Sequence, residues 1–330
     1  MVDKVLKLKE LRRNLKREIK HVFVILTPSC SKNCIYCYEK NLWKNVKVDV
    51  DVDRILFVID KYKPNKVTFI GGESFESEYL FELVGLIPED VRIDIFTDAE
   101  RRKEHFEVLD RFGNVVLRLS LDTTWRTRSS SIDRWIEACD WVKFLGNNFS
   151  WKRVSIEPVL TKFGFNWNVL RKMIGESVRV YLKPVAVRDS DNLDICNDID
   201  FDFLVKSEFE RYREGKPVVA QVGKFIEQVK RVFNGGVNVR CSCFINRVTV
   251  DWEGNEAFCD AYRLSKFSDI PLEKAFDIWV DYSKKCYNCD VIEFCGGSCV
   301  LLGEPNDFYC LFRKTFIKYA LLEVLNNKGG

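Results

Sequence analysis

Two hydrophobic rhythms alternate along the first two thirds of the chain: short apolar runs closed by turn residues, and longer stretches with helical spacing. The run His21-Val-Phe-Val-Ile-Leu26 reads as a first strand. The pattern then predicts a helix over 55–62, a strand over 66–70, a helix over 75–86, and a strand over 91–96. A helix over 101–112, a strand over 115–121, a helix over 131–145 and a strand over 153–160 follow. A short helix after Asn166 and a sixth strand over 178–187 complete the series. Six strand–helix units in succession imply an α/β fold with a parallel sheet, either open and doubly wound or curled into a barrel, and periodicity does not choose between them. Helical patterns over 203–213 and 218–233 lead to a break at Asn234-Gly-Gly236. Beyond it, residues 248–259 alternate around Gly254 as a β-hairpin, and 311–325 reads as a closing amphipathic helix. The break suggests two domains, 1–235 and 236–330, with 1–19 a basic, solvated helix.

Composition adds mainly exclusions. With 52 basic and 49 acidic residues the net charge is +3, which gives no electrostatic case for nucleic acid or an anionic membrane as partner. No apolar stretch reaches bilayer-spanning length and the N-terminus lacks a signal-peptide core, so a cytoplasmic protein is expected. Thirteen cysteines in such a setting argue for metal rather than disulfides. With only His21 and His105, a histidine-based metal site is not expected.

The cysteines fall into two fields. Cys30, Cys34 and Cys37 are spaced C-x3-C-x2-C directly after the first strand, with Tyr36 before the last. Three thiolates can hold three irons of a [4Fe–4S] cluster and leave the fourth open; zinc or buried structural thiols are the alternatives. Gly71-Gly72-Glu73 ends the second strand, and Asp122 ends the fourth. The second field comprises Cys241, Cys243, Cys259, then Cys286-x2-Cys289-x5-Cys295-x3-Cys299, then Cys310. Eight thiolates suffice for two [4Fe–4S] clusters or two zinc sites. Cys139 and Cys196 fit neither field.

The first field and Gly71-Gly72-Glu73 resemble the radical SAM superfamily, and the second resembles its SPASM extension. The resemblance implies a partial (β/α)6 barrel followed by a small cysteine-rich SPASM domain with a β-hairpin and two auxiliary iron–sulfur sites. It implies S-adenosylmethionine on the open iron, cleaved to a 5′-deoxyadenosyl radical that abstracts hydrogen from a substrate. Tyr36, Gly71, Gly72, Glu73, Ser120, Asp122, Arg126, Arg128 and Leu160 would then line the cofactor. Ser74 stands where the family often has proline. By the same resemblance Cys259 and Cys299, with Cys241 and/or Cys243, hold an inner cluster, and Cys286, Cys289, Cys295 and Cys310 an outer one. Asp260, directly after the inner-cluster ligand Cys259, would act as a base near the radical being oxidised. The implied function is oxidation of a peptide or protein, giving a thioether, a C–C or C–O crosslink or a formylglycine-type product. An electron donor such as ferredoxin or flavodoxin would be the other partner. A small-molecule oxidoreductase of a haem or quinone pathway and a non-catalytic iron–sulfur or zinc protein are the alternatives. Cys30 lies so near the start of the chain that recognition of a leader peptide would fall to the barrel rim or a separate partner.

Overall fold

The computed structural model describes residues 18–32, 34, 36–37, 48–100, 103–122, 131–150, 153–160, 167–176, 178–184, 200–236, 246–259, 286, 289–296 and 307–327. Strands β1 (His21–Thr27), β2 (Lys66–Gly71), β3 (Arg92–Asp98), β4 (Val115–Ser120) and β5 (Val154–Ile156) lie side by side in chain order. Each pairs in parallel with the next, so β1–β5 form the expected parallel sheet. Helices connect them: α1 (Val52–Tyr62), α2 (Leu80–Leu86), α3 (Lys103–Leu109) and α4 (Ile132–Leu145). Asp51 and Ser131 start α1 and α4, accepting from the amides of Arg54 and Arg134 and so satisfying donors that a helix start leaves open.

Alternation along the strands separates two faces. Val22, Val24, Val67, Phe69, Ile93, Ile95, Val115, Leu117 and Leu119 are wholly buried and form the main core. The other face carries Lys66, Asp94, Arg118, Ser155 and Glu157 in one network. Arg118 reaches Asp94 at 2.8 Å and Glu157 at 3.3 Å, and Lys66 reaches Asp94 at 2.7 Å. The Arg118 guanidinium and Lys66 hold the Asp94 carboxyl below its ordinary range against the opposing effect of burial.

Four expectations need correction. The helix over 75–86 is broken: Ser74–Glu76 is a 3-10 turn, and α2 begins only at Leu80. Glu73 caps the start of that turn through the Phe75 amide, and Ser77, extended at φ −88° and ψ 125°, ends it before α2. The strand over 153–160 is two pieces, β5 and β6 (Val159–Leu160), separated at Glu157-Pro158. Proline has no N–H for the ladder, and β6 turns away to pair with β8 (Lys183–Pro184) in a separate two-stranded sheet. The strand over 178–187 is likewise divided into β7 (Arg179–Val180), which pairs with β5, and β8.

The fourth correction concerns the end of the chain. After α5 (Trp167–Ile174), α6 (Phe201–Arg213) and α7 (Ala220–Phe233), the expected hairpin forms as β9 (Arg247–Val250) and β10 (Glu256–Ala257). Gly254 turns it at a φ of +76°, and a Cβ there would lie 2.4 Å from Arg54 Cβ. β9 also pairs in parallel with β1. The sheet order is β10-β9-β1-β2-β3-β4-β5-β7. α8 (Ile292–Cys295) and α9 (Asp307–Asn326) follow, and α9 packs on α6 and α7. α9 is not cleanly amphipathic: Phe312, Phe316, Ile317 and Ala320 are buried while Leu311, Leu322 and Leu325 are exposed. Among the described residues no helix is long and apolar enough to cross a membrane.

Candidate functional site

The loop that carries Cys30, Cys34 and Cys37 leaves β1 at Thr27, and the loop after β2 is built against its root. The Gly72 amide donates to the Thr27 carbonyl at 2.7 Å and the Glu73 amide to the Ser29 carbonyl at 2.8 Å. A Cβ at Gly72 would sit 2.0 Å from Ser29 O, and one at Gly71 2.3 Å from Thr27 O. Gly71 also has a φ of +135°, a conformation glycine adopts without a Cβ clash. The two glycines are thus required by the close approach of the cysteine loop.

Glu73 turns inward. Its carboxylate accepts from the Thr97 hydroxyl at 2.5 Å, the Asp98 amide at 2.7 Å and the Phe75 amide at 3.0 Å. Burial first and the Asp98 carboxylate second push its pKa up, while these donors pull against the shift. The carboxylate therefore ties the β2 loop to the end of β3.

Two further ties escaped the sequence reading. Glu76 accepts from the Ser31 amide at 2.9 and 3.1 Å and from the Ser29 hydroxyl at 3.4 Å, gripping both neighbours of Cys30. The Lys32 ammonium lies 3.5 Å from Asp98 and also bonds Glu100. Only a Ser/Lys loop beside scattered acids is visible in the sequence, because each pairing spans dozens of residues. Cys30 is exposed as a residue, yet partial desolvation first, then the Glu76 and Glu73 carboxylates, push its thiol up to about 11.

Tyr36 fixes the far side of the loop. Its hydroxyl donates to Asp122 Oδ2 at 2.6 Å. Asp122 is 1% exposed; its Oδ1 accepts from the Val159 amide at 3.0 Å and its carbonyl from the Trp135 indole at 2.8 Å. One carboxylate thus joins the loop after β1, the end of β4 and the start of β6. Ser120 ends β4 in register with Asp98. Leu160 is buried on β6 beside Pro184. Cys30, Cys34, Cys37, Tyr36, Gly71, Gly72, Glu73, Ser120 and Asp122 all lie at the C-terminal end of the parallel strands, where such sheets place chemistry. Arg126 and Arg128 lie outside the described residues.

In the second field, Cys241, Cys243, Asp260 and Cys299 lie outside the described residues, as does Cys196. Cys259 follows β10, and the Arg247 guanidinium on β9 approaches its sulfur at 3.7 Å. The Cys289 amide donates to the Cys286 carbonyl at 2.9 Å, and Cys295 ends α8. Cys310 stands in the first turn of α9. Arg313, one turn on, donates to Cys295 Sγ at 3.1 Å and to its carbonyl at 2.9 Å. None of the nine described cysteines is joined to another in a disulfide. Among the described residues no three His, Cys, Asp or Glu side chains gather as a single metal ion would need. Thiols grouped on two short segments, one of them touched by a guanidinium, are the donor chemistry an iron–sulfur cluster takes. Cys139 is wholly buried and its thiol is pushed up to about 12, mainly by burial, so it is a core residue. His21 bonds Thr68 at 2.7 Å and His105 stacks on Phe75.

Comparison with known proteins places this arrangement. Residues 24–159 match the model of the Radical SAM superfamily. No curated protein matches the sequence. Among solved structures, SuiB of Streptococcus suis is similar at a TM-score of 0.64 and 18% identity, over 90% of this chain and 76% of that one. SuiB bound to precursor peptide SuiA gives 0.62 and 16%, over 90% and 74%. Native anSMEcpe with bound AdoMet and Cp18Cys peptide gives 0.61 and 16%, over 92% and 97%. At such identities the likeness is one of fold.

Proposed function

We propose, from the match of residues 24–159 to the Radical SAM superfamily model, that the chain is a radical SAM oxidoreductase that modifies a peptide or protein. The observation that carries this reading is the anchoring of the Cys30–Cys37 loop. Its root is tied to Gly72 and Glu73, its middle to Glu76, and its far side, through Tyr36, to Asp122. Such bracing holds a cluster-binding loop in one geometry at the catalytic end of the sheet.

When bound, a [4Fe–4S] cluster with S-adenosylmethionine on its open iron supplies the electron that releases a 5′-deoxyadenosyl radical. Cys30, Cys34 and Cys37 would hold three irons. The backbone of Gly71 to Glu73 and the end of β4 at Ser120 would face the cofactor, with Arg126 or Arg128 gripping its carboxylate as a guanidinium fork can. Leu160 would pack near adenine. Glu73 and Asp122, being engaged by backbone and hydroxyl donors, are assigned to holding these loops in place. Cys259, Cys286, Cys289, Cys295, Cys299 and Cys310, with Cys241 and/or Cys243, would hold two auxiliary clusters, which would supply an acceptor for the electron given up by the substrate radical. Asp260 would take the accompanying proton. A peptide substrate is favoured because two of the similar folds are described with bound peptides. The product would be a thioether, a C–C or C–O crosslink, or a formylglycine-type aldehyde, and a ferredoxin or flavodoxin would reduce the first cluster.

The test is anaerobic reconstitution with iron and sulfide, reduction, and incubation with S-adenosylmethionine and short peptides encoded beside the gene. The expected result is 5′-deoxyadenosine together with a peptide that has lost two hydrogens or gained an aldehyde. Reconstituted, reduced protein that yields no 5′-deoxyadenosine overturns the radical reading. Cleavage with every peptide mass unchanged overturns the peptide reading alone.

A further inference from the structure

Arg313 is 7% exposed, on the face of α9 that packs into the core. Its contacts among the described residues are the sulfur and carbonyl of Cys295 and the Phe225 ring, 5.2 Å from the guanidinium carbon. None of them is a carboxylate. Arginine keeps its charge at any physiological pH, and a buried cation is costly unless an anion meets it. The group nearest its Nε–H is the sulfur of a cysteine that follows Cys286 and Cys289 on one short segment. Arg313 also stands three residues after Cys310 on the same helix face, so α9 would deliver a ligand and a cation together.

We propose that Arg313 is a positioning and tuning residue for an outer auxiliary cluster. It would hold Cys295 as a thiolate ligand and raise the cluster's reduction potential through a charged hydrogen bond to that sulfur. The inference rests on the reading of Cys286, Cys289, Cys295 and Cys310 as cluster ligands. The sign follows from charge. Reduction adds a negative charge to the cluster, and a cation at hydrogen-bond distance stabilises the reduced form more than the oxidised one. The outer cluster would thus be a better electron acceptor than its thiolates alone would make it. That property suits a centre that receives an electron from a substrate radical.

The experiment compares reconstituted wild type, Arg313→Gln and Arg313→Lys by iron and zinc content, circular dichroism and redox titration followed by electron paramagnetic resonance. In Arg313→Gln the reduced-to-oxidised ratio of one cluster should fall about tenfold at a fixed potential, which for one electron is about 59 mV. Arg313→Lys, which keeps the charge, should recover part of that shift. Loss of about four irons from a folded Arg313→Gln protein, restored in Arg313→Lys, supports the same role. A folded Arg313→Gln protein with full iron and unchanged potentials overturns it. So does loss of the native circular dichroism in both variants, which would make the arginine a packing residue. Zinc, or only about four irons, in the wild type would instead overturn the auxiliary-cluster reading beneath it.

Discussion

Gly72→Ala is the sharpest single perturbation of the site. The added methyl would begin 2.0 Å from Ser29 O, 2.6 Å from Ser29 C and 2.8 Å from Pro28 O, all of them backbone atoms. Restoring an ordinary contact of about 3.4 Å to the Ser29 oxygen needs a displacement of roughly 1.4 Å between two backbones. No side chain can give way, so the strain falls on the bonds from Gly72 to Thr27 and from Glu73 to Ser29, 2.7 and 2.8 Å long. Each is worth about 0.5–1.5 kcal/mol net, so losing both costs roughly 1–3 kcal/mol. For a chain of this size that is a fall of roughly 1–4 °C in Tm by differential scanning calorimetry. The larger effect should be functional, because Cys30 directly follows Ser29. A misplacement of about 1 Å at a reacting centre can cost on the order of 10²-fold in rate. S-adenosylmethionine cleavage, timed by 5′-deoxyadenosine release, should drop by about that factor while the far-UV spectrum stays native. A variant that melts with the wild type and cleaves the cofactor at the wild-type rate would refute the claim that the two loops touch.

Three other outcomes can be checked independently. Tyr36→Phe removes the 2.6 Å donor to buried Asp122; it should cost about 1–3 kcal/mol in urea unfolding and slow cofactor cleavage, whereas a neutral result would detach the cysteine loop from β4. His21 has its pKa lowered to about 3, by burial first and then by Lys66 and Arg247. The folded state therefore resists a proton that the unfolded chain binds near 6.5, and the stability this residue contributes, present above that pH, is lost as pH falls toward 3. Wild type should lose roughly 1–2 kcal/mol more than His21→Gln between pH 7.5 and pH 5.5; parallel pH profiles would contradict this. Glu208 meets Arg171 at 2.8 Å and the Val219 amide at 2.9 Å inside the helical layer. Glu208→Ala should cost about 3–5 kcal/mol, and Arg171→Met with Glu208→Leu should recover most of it, measured by chemical denaturation.

How much of this was readable beforehand depends on the distance over which each feature is decided. β1 to β4 follow from local alternation and were placed within a residue or two, as was the hairpin about Gly254. Cys30, Cys34, Cys37 and Gly71-Gly72-Glu73 were legible as a pair of loops because each follows a strand directly. The break at Pro158 was present in the composition but overridden by the flanking Val154 and Val159. Nothing in the local sequence distinguishes Asp94, Arg118 and Glu157 from solvated charges on a strand face, and only the sheet brings Arg118 between the two acids. Glu76 and Lys32 belong to the same class, since nothing local distinguishes a carboxylate that will cap Ser31 from one that will face water. The pairing of β9 with β1 was the least accessible. Parallel neighbours leave no mark on either sequence, and the second cysteine field drew attention to metal rather than to the sheet.

That pairing also sets the order in which the molecule can be completed. β1 is an interior strand flanked by β2 and β9, but its second neighbour arrives only with Arg247, long after Lys66 has supplied the first. During synthesis the strand that leads into Cys30 must wait with one row of backbone amides and carbonyls uncovered, an edge that invites association with other chains. A product ended near Gly236 would keep that edge bare permanently. It should collect as aggregate, whatever the merits of its remaining core.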